Sequence, residues 1–184
     1  SLPTSNIVYC FDMRNTLQNG ASRTTTWQQI TPRAFCYTRS KELLLGQLEY
    51  IGKYQNYLDN TASYRLKYYT NYFDFGSPTS VKILKKINTT FVGGNGADVT
   101  VKYGFDFSSS YLSRNISLGN VTIAEYGVSE YSIGEYTAGV VFDNKNINAS
   151  GSGNVLQIGI ETEVSDFEIS LQKLDCYVKA GRTR

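Results

Sequence analysis

Apolar and polar side chains alternate along most of the chain after residue 63, and this period of two constrains the fold more than any other feature. The alternation is clearest over residues 98–107, where Val99 and Val101 alternate with Thr100 and Lys102. Successive side chains of a strand point to opposite faces, so the pattern predicts strands with one buried and one solvated face. No segment keeps a helical apolar period for about 11 residues. The sequence therefore predicts an all-β protein.

The same alternation predicts short antiparallel strands separated by turns, which is typical of a β-sandwich. The link Gly93-Gly94-Asn95-Gly96 tolerates positive φ and predicts a β-hairpin between two of the strands. The last strand changes phase between Leu171 and Leu174, which predicts a β-bulge. Residues 144–154 are polar and rich in Gly and Ser, so they are predicted to form a loop. The sandwich is placed at residues 60–184, with strands at 64–72, 81–91, 98–107, 111–118, 121–126, 138–142, 156–164 and 167–178.

Residues 1–59 follow a different pattern of very short apolar segments that end in glycine or aromatic residues. The segments are Ile7–Phe11, Ala34–Tyr37, Glu42–Gly46 and Tyr50–Tyr54. Strands of this kind resemble one blade of a β-propeller. A single blade needs neighbours on both sides to bury its faces. Because the chain begins at Ser1 rather than Met, we expect further blades upstream in a longer parent chain, or blades supplied by other chains.

The chain contains no histidine, which excludes Ser-His-Asp and Cys-His nucleophile systems and His-ligated metal sites. Its 18 basic and 16 acidic residues give a formal net charge of +2, too little to attract nucleic acid strongly. Cys10, Cys36 and Cys176 form no Cys-x-x-Cys pair and are predicted to be free, buried thiols. No apolar run reaches the roughly 18 residues of a membrane-spanning helix. We therefore predict no catalytic residue, cofactor, metal site or membrane-spanning segment.

Four carboxylates lie close together in the sequence near the end of the chain. General acid–base pairs and calcium sites need such oxygens. However, two of them occupy the polar positions of an alternating strand, and antiparallel sheets commonly expose that face to water. We therefore predict a solvated sheet face rather than a reactive centre, formed by Glu161, Glu163, Asp166 and Glu168.

A short basic run is the candidate for contact with DNA. Lys82, Lys85 and Lys86 lie in one predicted strand, and Lys102 is expected across the predicted hairpin from them. A positive stripe is sufficient to contact phosphates, although lysines on a half-exposed strand also protect sheet edges. Lys85 also interrupts the apolar face that the odd positions of residues 81–91 otherwise form.

Glu-Tyr pairs recur at intervals of five residues and place tyrosines at Tyr126, Tyr131 and Tyr136. This period is neither that of a helix nor that of a strand. Exposed tyrosines with few charges nearby favour contact between subunits, because Tyr gives a large contact area at low entropic cost. A Tyr-rich strand or loop at the edge of the sandwich is the alternative of equal weight.

Three segments follow one another in a distinctive order. They are Asn71-Tyr-Phe-Asp-Phe-Gly-Ser-Pro78, Lys82-Ile-Leu-Lys-Lys-Ile87 and Val99-Thr-Val-Lys-Tyr-Gly-Phe-Asp106. Together they resemble a module of the tail nozzle (tail tube) proteins of short-tailed bacteriophages. The blade-like segment before them is also similar, because that family carries propeller blades ahead of a β-sandwich. The resemblance covers residues 5–107 well and residues 108–184 by general character. This chain departs from the family pattern because it contains the sequence of one propeller blade.

The resemblance implies a ring of six copies in the distal part of a virion tail, assembled in the bacterial host cytoplasm with other tail and adaptor proteins. DNA would pass through the ring without sequence-specific binding, and no catalytic residues carry over. The residues alone leave alternatives open. The content of Tyr, Trp and Asn also suits a carbohydrate-binding β-sandwich module of a secreted or surface protein, because aromatic faces stack on sugars. A hydrolase would have to use the carboxylates, which are predicted to face solvent.

Overall fold

The computed structural model describes residues 7–16, 22–28, 32–58, 61–120 and 142–181. These residues form thirteen strands in four antiparallel sheets, so the predicted all-β class is confirmed. The chain divides into two compact units, Ser1–Asn56 and Tyr57–Arg184. Within the described ranges there is no helix with the length and apolar character needed to cross a membrane.

The division between the units falls at Asn56 and Tyr57, slightly earlier than the position after residue 59 that the sequence suggested. Tyr57 belongs to the second unit because two of its polar groups are bonded there. Its carbonyl accepts a hydrogen bond from the backbone N–H of Asp166 at 3.2 Å, and its hydroxyl donates to Glu168 at 3.0 Å.

The first unit contains two small sheets. Its strands are β1 (Ile7–Thr16), β2 (Ser22–Gln28), β3 (Ala34–Tyr37), β4 (Leu43–Gly46) and β5 (Ile51–Lys53). β1 and β2 form an antiparallel pair, and β3, β4 and β5 form a three-stranded meander. The short strands expected from the sequence are present, and they are distributed over two sheets.

The second unit contains the two remaining sheets. Its strands are β6 (Tyr64–Tyr69), β7 (Lys82–Gly93), β8 (Asp98–Phe105), β9 (Leu112–Ser117), β10 (Phe142–Asn148), β11 (Ser152–Gly153), β12 (Leu156–Val164) and β13 (Ile169–Ala180). In one sheet β7 is central, with β13 along one edge and both β10 and β11 along the other. The other sheet has the order β6-β12-β8-β9.

The core of the second unit lies between these two sheets. Alternate side chains of β7, β8 and β12 point inward, because strand periodicity places every second residue on one face. Each large side chain removed from water contributes roughly 1.5–3 kcal/mol of hydrophobic stabilisation. This packing confirms the predicted β-sandwich. The buried cluster comprises Leu84, Ile87, Phe91, Val99, Val101, Tyr103, Leu118, Ile147, Ala149, Leu156, Ile158 and Ile160.

The predicted hairpin between the strands on either side of Gly93–Gly96 is wrong. β7 and β8 belong to different sheets, so the glycine-rich link carries the chain across the sandwich. The expected positive φ is present at Gly93 (80°), Gly94 (94°) and Gly96 (75°). A Cβ on Gly94 would overlap the side chain of Leu118, so the link also needs the space that glycine leaves.

A bulge at Lys85 changes which residues of β7 point toward the core: even-numbered before it and odd-numbered after it. Along β13, Tyr177 pairs with Lys86 but Val178 pairs with Leu84, so Lys85 has no partner in that register. The extra residue lets Leu84 and Ile87 both face the core. The bulge predicted within the last strand is confirmed, because the register with β7 shifts between Leu171 and Lys173.

The predicted loop over residues 144–154 is also wrong, since β10 and β11 occupy most of it. The error has a physical reason, because β10 has one polar face. Asn144, Asn146 and Asn148 are exposed, whereas Ile147 between them is 3% exposed and joins the core. The candidate strand at 121–126, and most of the one at 138–142, lie outside the described residues.

Candidate functional site

Lys82 does not lie on the surface. It is 4% exposed, and its ammonium donates to the carbonyl of Ser77 and, at 2.8 Å, to that of Asn154. A buried ammonium needs such acceptors, because an unpaired charge in the interior is costly. Lys82 therefore connects two turns of the sandwich.

Of the other three candidate lysines, Lys102 is separated from Lys85 and Lys86. Lys85 is exposed at the bulge, and the Lys86 ammonium lies 5.8 Å from the centre of the Tyr177 ring. Lys102 lies in the opposite sheet, 2.9 Å from a Glu161 oxygen. The expectation of one stripe across a hairpin is therefore wrong, because β7 and β8 do not pair. Contact with DNA stays a prediction for Lys85 and Lys86.

The tyrosines predicted to contact other subunits are Tyr126, Tyr131 and Tyr136. All three lie outside the described residues. Their role stays a prediction.

Glu161 is buried, contrary to the predicted solvated face. It lies on the outer face of β12, where side chains of three neighbours converge on its carboxylate. The Tyr69 hydroxyl donates at 2.5 Å, the Lys102 ammonium at 2.9 Å and the Arg65 guanidinium at 2.5 Å. The Glu161 side chain is 5% exposed, whereas that of Arg65 is 60% exposed.

These contacts determine the charge state of the cluster. Burial alone would raise the pKa of Glu161, but the bonds from Tyr69, Lys102 and Arg65 outweigh it and lower the pKa to about 2. Burial, followed by the bond to Glu161, raises the pKa of Tyr69 to about 12. Glu161 is therefore ionised and Tyr69 neutral at physiological pH, which suits a structural clamp between strands and does not suit a proton donor.

A glycine in the same strand could have indicated from the sequence that another side chain lies close to β12 beside Glu161. Gly159 lies two residues before Glu161, and a Cβ at that position would overlap the Tyr69 ring. Glycine inside a strand often marks such a close approach. The other three predicted carboxylates, Glu163, Asp166 and Glu168, are exposed. Glu163 accepts a hydrogen bond from Ser63, and Glu168 accepts one from Tyr57. Among the described residues, no group of three or more Cys, Asp and Glu side chains could hold a metal ion.

An open cleft of about 520 Å³ lies within the first unit. Its central feature is a pair of stacked aromatic rings, those of Trp27 from β2 and Tyr54, which follows β5. The ring centres are 4.9 Å apart and the planes differ by 15°. Sequence reasoning missed this cleft because its wall comes from separate segments. The lining residues are Cys10, Trp27, Tyr37, Lys41, Glu42, Leu43, Lys53 and Tyr54.

The polar wall of the cleft is built on the turn between β3 and β4. The Glu42 carboxylate forms an ion pair with Lys53 and accepts a hydrogen bond from the Ser40 hydroxyl at 3.0 Å. These bonds, the one from Lys53 foremost, lower the pKa of Glu42. Lys41 in the same turn has a φ of 64°, a left-handed conformation that is uncommon for a residue with a side chain. The cleft thus combines aromatic rings, a firmly ionised carboxylate and two cations.

The three cysteines are free, as predicted, but none is fully buried: Cys36 is exposed, and Cys10 and Cys176 are partly buried. Burial, followed by the charge of Asp175, raises the pKa of the Cys176 thiol to about 11. About one Cys176 in a thousand is then a thiolate at pH 8, and the thiolate is the reactive form.

We expect Ellman's reagent to modify Cys36 rapidly and Cys176 slowly. The fast phase should disappear in Cys36→Ser and persist in Cys176→Ser; a fast phase lost in Cys176→Ser would contradict the assignment.

Comparison with protein-family models, curated proteins and solved structures finds no match to this chain. The geometry defines an all-β protein with a sandwich unit and a smaller unit of two sheets. The similarity to tail nozzle proteins stays a prediction.

Proposed function

We propose that this chain is a structural virion protein, part of a tail nozzle that forms a ring conduit for genome ejection. In this role the chain is not an enzyme. Its contacts with copies of itself and with other tail proteins constitute its function. DNA passes through the ring without being held, in keeping with the small net charge of +2.

The observation that carries the proposal is the exposure of many large apolar side chains in the first unit. Among its described residues, Leu45 is the one buried hydrophobic side chain. Extended exposed apolar surfaces mark interaction sites, because a free-standing domain buries most such side chains. The exposed apolar side chains of this unit are Tyr9, Phe11, Met13, Phe35, Tyr37, Leu48, Tyr50, Ile51 and Tyr54.

The sandwich unit offers a second surface for assembly at its edge strand β6. The register with β12 directs Tyr64, Leu66 and Tyr68 toward the opposite sheet, yet they remain 37%, 38% and 51% exposed. No described strand pairs with the other edge of β6, and the partly exposed face of this strand is apolar. An interface between unlike surfaces that closes by rotation produces a ring.

The oligomeric state of the full-length protein tests the proposal. We expect light scattering after size exclusion to give a mass several times that of one subunit, and electron microscopy to show rings. Leu66→Lys should shift the protein toward smaller species, because a charge on the apolar face opposes its burial.

The matched control is Lys67→Gln, which changes the opposite face of the same strand. It should leave the mass unchanged, and circular dichroism should show strands in both variants. A full-length protein that remains monomeric at micromolar concentration would contradict the proposal.

The second candidate is a carbohydrate-binding module. The sequence suggested it for the sandwich, whereas the observation that favours it is the cleft with Trp27 and Tyr54 in the first unit. Its test is binding by a single subunit in the absence of a ring.

A further inference from the structure

We infer that the cleft of the first unit binds an acidic saccharide, a pyranose ring that carries a carboxylate. The site consists of Tyr54 supported by Trp27, the Glu42 carboxylate and the Lys41 ammonium. This inference does not require ring assembly, although Tyr54 also belongs to the exposed apolar side chains of the first unit named above. A ring that ignores saccharides leaves the proposed function in place, and a monomer that binds them leaves this inference in place.

The aromatic pair supplies the stacking surface. Tyr54 rests on Trp27 with nearly parallel planes and is still 60% exposed, so its ring is held in position while remaining open to a ligand. A ring fixed before binding loses little conformational entropy when the ligand arrives. The carbon–hydrogen face of a pyranose is apolar and flat, and it fits such a surface.

Glu42 supplies acceptors for sugar hydroxyls. An ionised carboxylate has about four acceptor positions on its two oxygens. Lys53 bonds to one oxygen and Ser40 to the other, which leaves acceptor positions on both. The same two bonds fix the orientation of the carboxylate, as a specific site requires.

Lys41 supplies the charge for an acidic group. No ion pair joins its ammonium to a carboxylate within the described ranges, unlike Lys53, which pairs with Glu42. Lys41 is also held at a positive φ by a turn in which its N–H donates to the Thr38 carbonyl at 3.0 Å. Backbone conformations of this kind are concentrated at binding sites, because the surrounding structure must impose them.

The charges favour a saccharide over a nucleotide. A phosphate ester is usually bound by several backbone N–H groups or several cations. Among the described residues, Lys41 is the one cation of the cleft lining without a carboxylate partner. A single carboxylate on a sugar ring matches that one charge, and the hydroxyls match Glu42.

The fluorescence of Trp27 provides a direct test, because the chain contains a single tryptophan. The chain of 184 residues is titrated with trigalacturonate, sialyllactose and trimannuronate, up to about 10 mM, well above the 1 mM scale of weak binding. The methyl ester of each acid is the neutral comparison, and adenosine monophosphate tests the nucleotide alternative. We expect at least one acid to shift the emission with saturation, more strongly than its ester and less strongly in high salt.

Three variants separate the contributions of the site. Tyr54→Ala should weaken binding about tenfold, the usual scale of a lost aromatic contact. Lys41→Gln should weaken binding of the acid about two- to fivefold, as for an exposed ion pair, and leave the ester unchanged. Tyr50→Ala is the matched control, since Tyr50 is 55% exposed in the same unit but outside the cleft.

Each outcome decides the inference. It is overturned if no acidic saccharide changes the Trp27 emission, if ester and acid bind equally, or if adenosine monophosphate alone binds. It is also overturned if Tyr54→Ala binds as well as the unmodified protein while circular dichroism shows an intact fold. Saturable binding that Lys41→Gln weakens for the acid alone supports it.

Discussion

Replacing Phe91 with alanine should lower the free energy of unfolding of the sandwich unit by about 3–5 kcal/mol. Phe91 is 1% exposed and lies on the central strand β7, in the cluster that both sheets share. The substitution removes the ring from this cluster and leaves a cavity that close-packed neighbours fill only partly. Domains of this size are stable by about 5–15 kcal/mol, so the loss is a large part of the total.

Urea denaturation followed by circular dichroism measures this effect. The midpoint should fall while the slope with urea stays the same, because the surface exposed on unfolding changes little. Phe142→Ala is the matched control: Phe142 is 68% exposed on β10, and the change there should stay within about 0.5 kcal/mol. Equal losses at the two positions would contradict the core described here.

Alternation predicted the strands best where one face lies entirely in the core. The alternating strand predicted at 156–164 has one buried face, and Leu156, Ile158 and Ile160 are all buried in β12. The partners of a strand were harder to predict. Glycines at 93–96 indicated a change of chain direction, but positive φ suits a hairpin and a crossing between sheets equally well. The crossing is favoured over the hairpin because β7 and β8 cover the same core from opposite sides, and this arrangement cannot be read from the link itself.

The candidate sites were less predictable than the fold, because they depend on side chains that are distant in the sequence. Glu161 occupies a polar position of an alternating strand, so it was expected in water. Its burial arises from Tyr69, Arg65 and Lys102 on the two neighbouring strands, and strand order is not encoded in local periodicity. The pairing of Trp27 with Tyr54 depends in the same way on the arrangement of two small sheets.

Replacing Glu161 with glutamine should destabilise the sandwich unit by about 2–3 kcal/mol at pH 7. Lys102 and Tyr69 would lose a charged acceptor in a site where the Glu161 side chain is 5% exposed. Hydrogen bonds to charged groups contribute about 1.5–3 kcal/mol each. The expected loss is smaller than that sum because Arg65 is 60% exposed, and water screens its share.

The pH dependence identifies the cause of this loss. The pKa of Glu161 falls from 4.5 to about 2 in the folded protein, so the unfolded chain takes up the proton first as the pH decreases. The stability contributed by the carboxylate is therefore complete above about pH 5 and is lost progressively toward pH 2. The shift corresponds to at most about 3 kcal/mol, before the exposure of Arg65 is considered.

Unfolding of the unmodified protein and of Glu161→Gln should be compared in urea between pH 3 and pH 7. The difference in their free energies of unfolding should be largest at pH 7 and should shrink as the pH falls, since the unfolded chain of the unmodified protein takes up a proton at Glu161 and the glutamine variant does not. Glu163→Gln is the matched control, because Glu163 is exposed two positions along the same strand and, within the described residues, accepts a side-chain hydrogen bond from Ser63 alone. A difference for Glu161→Gln that is equally large at pH 3 and pH 7 would show that shape, and not charge, makes Glu161 important.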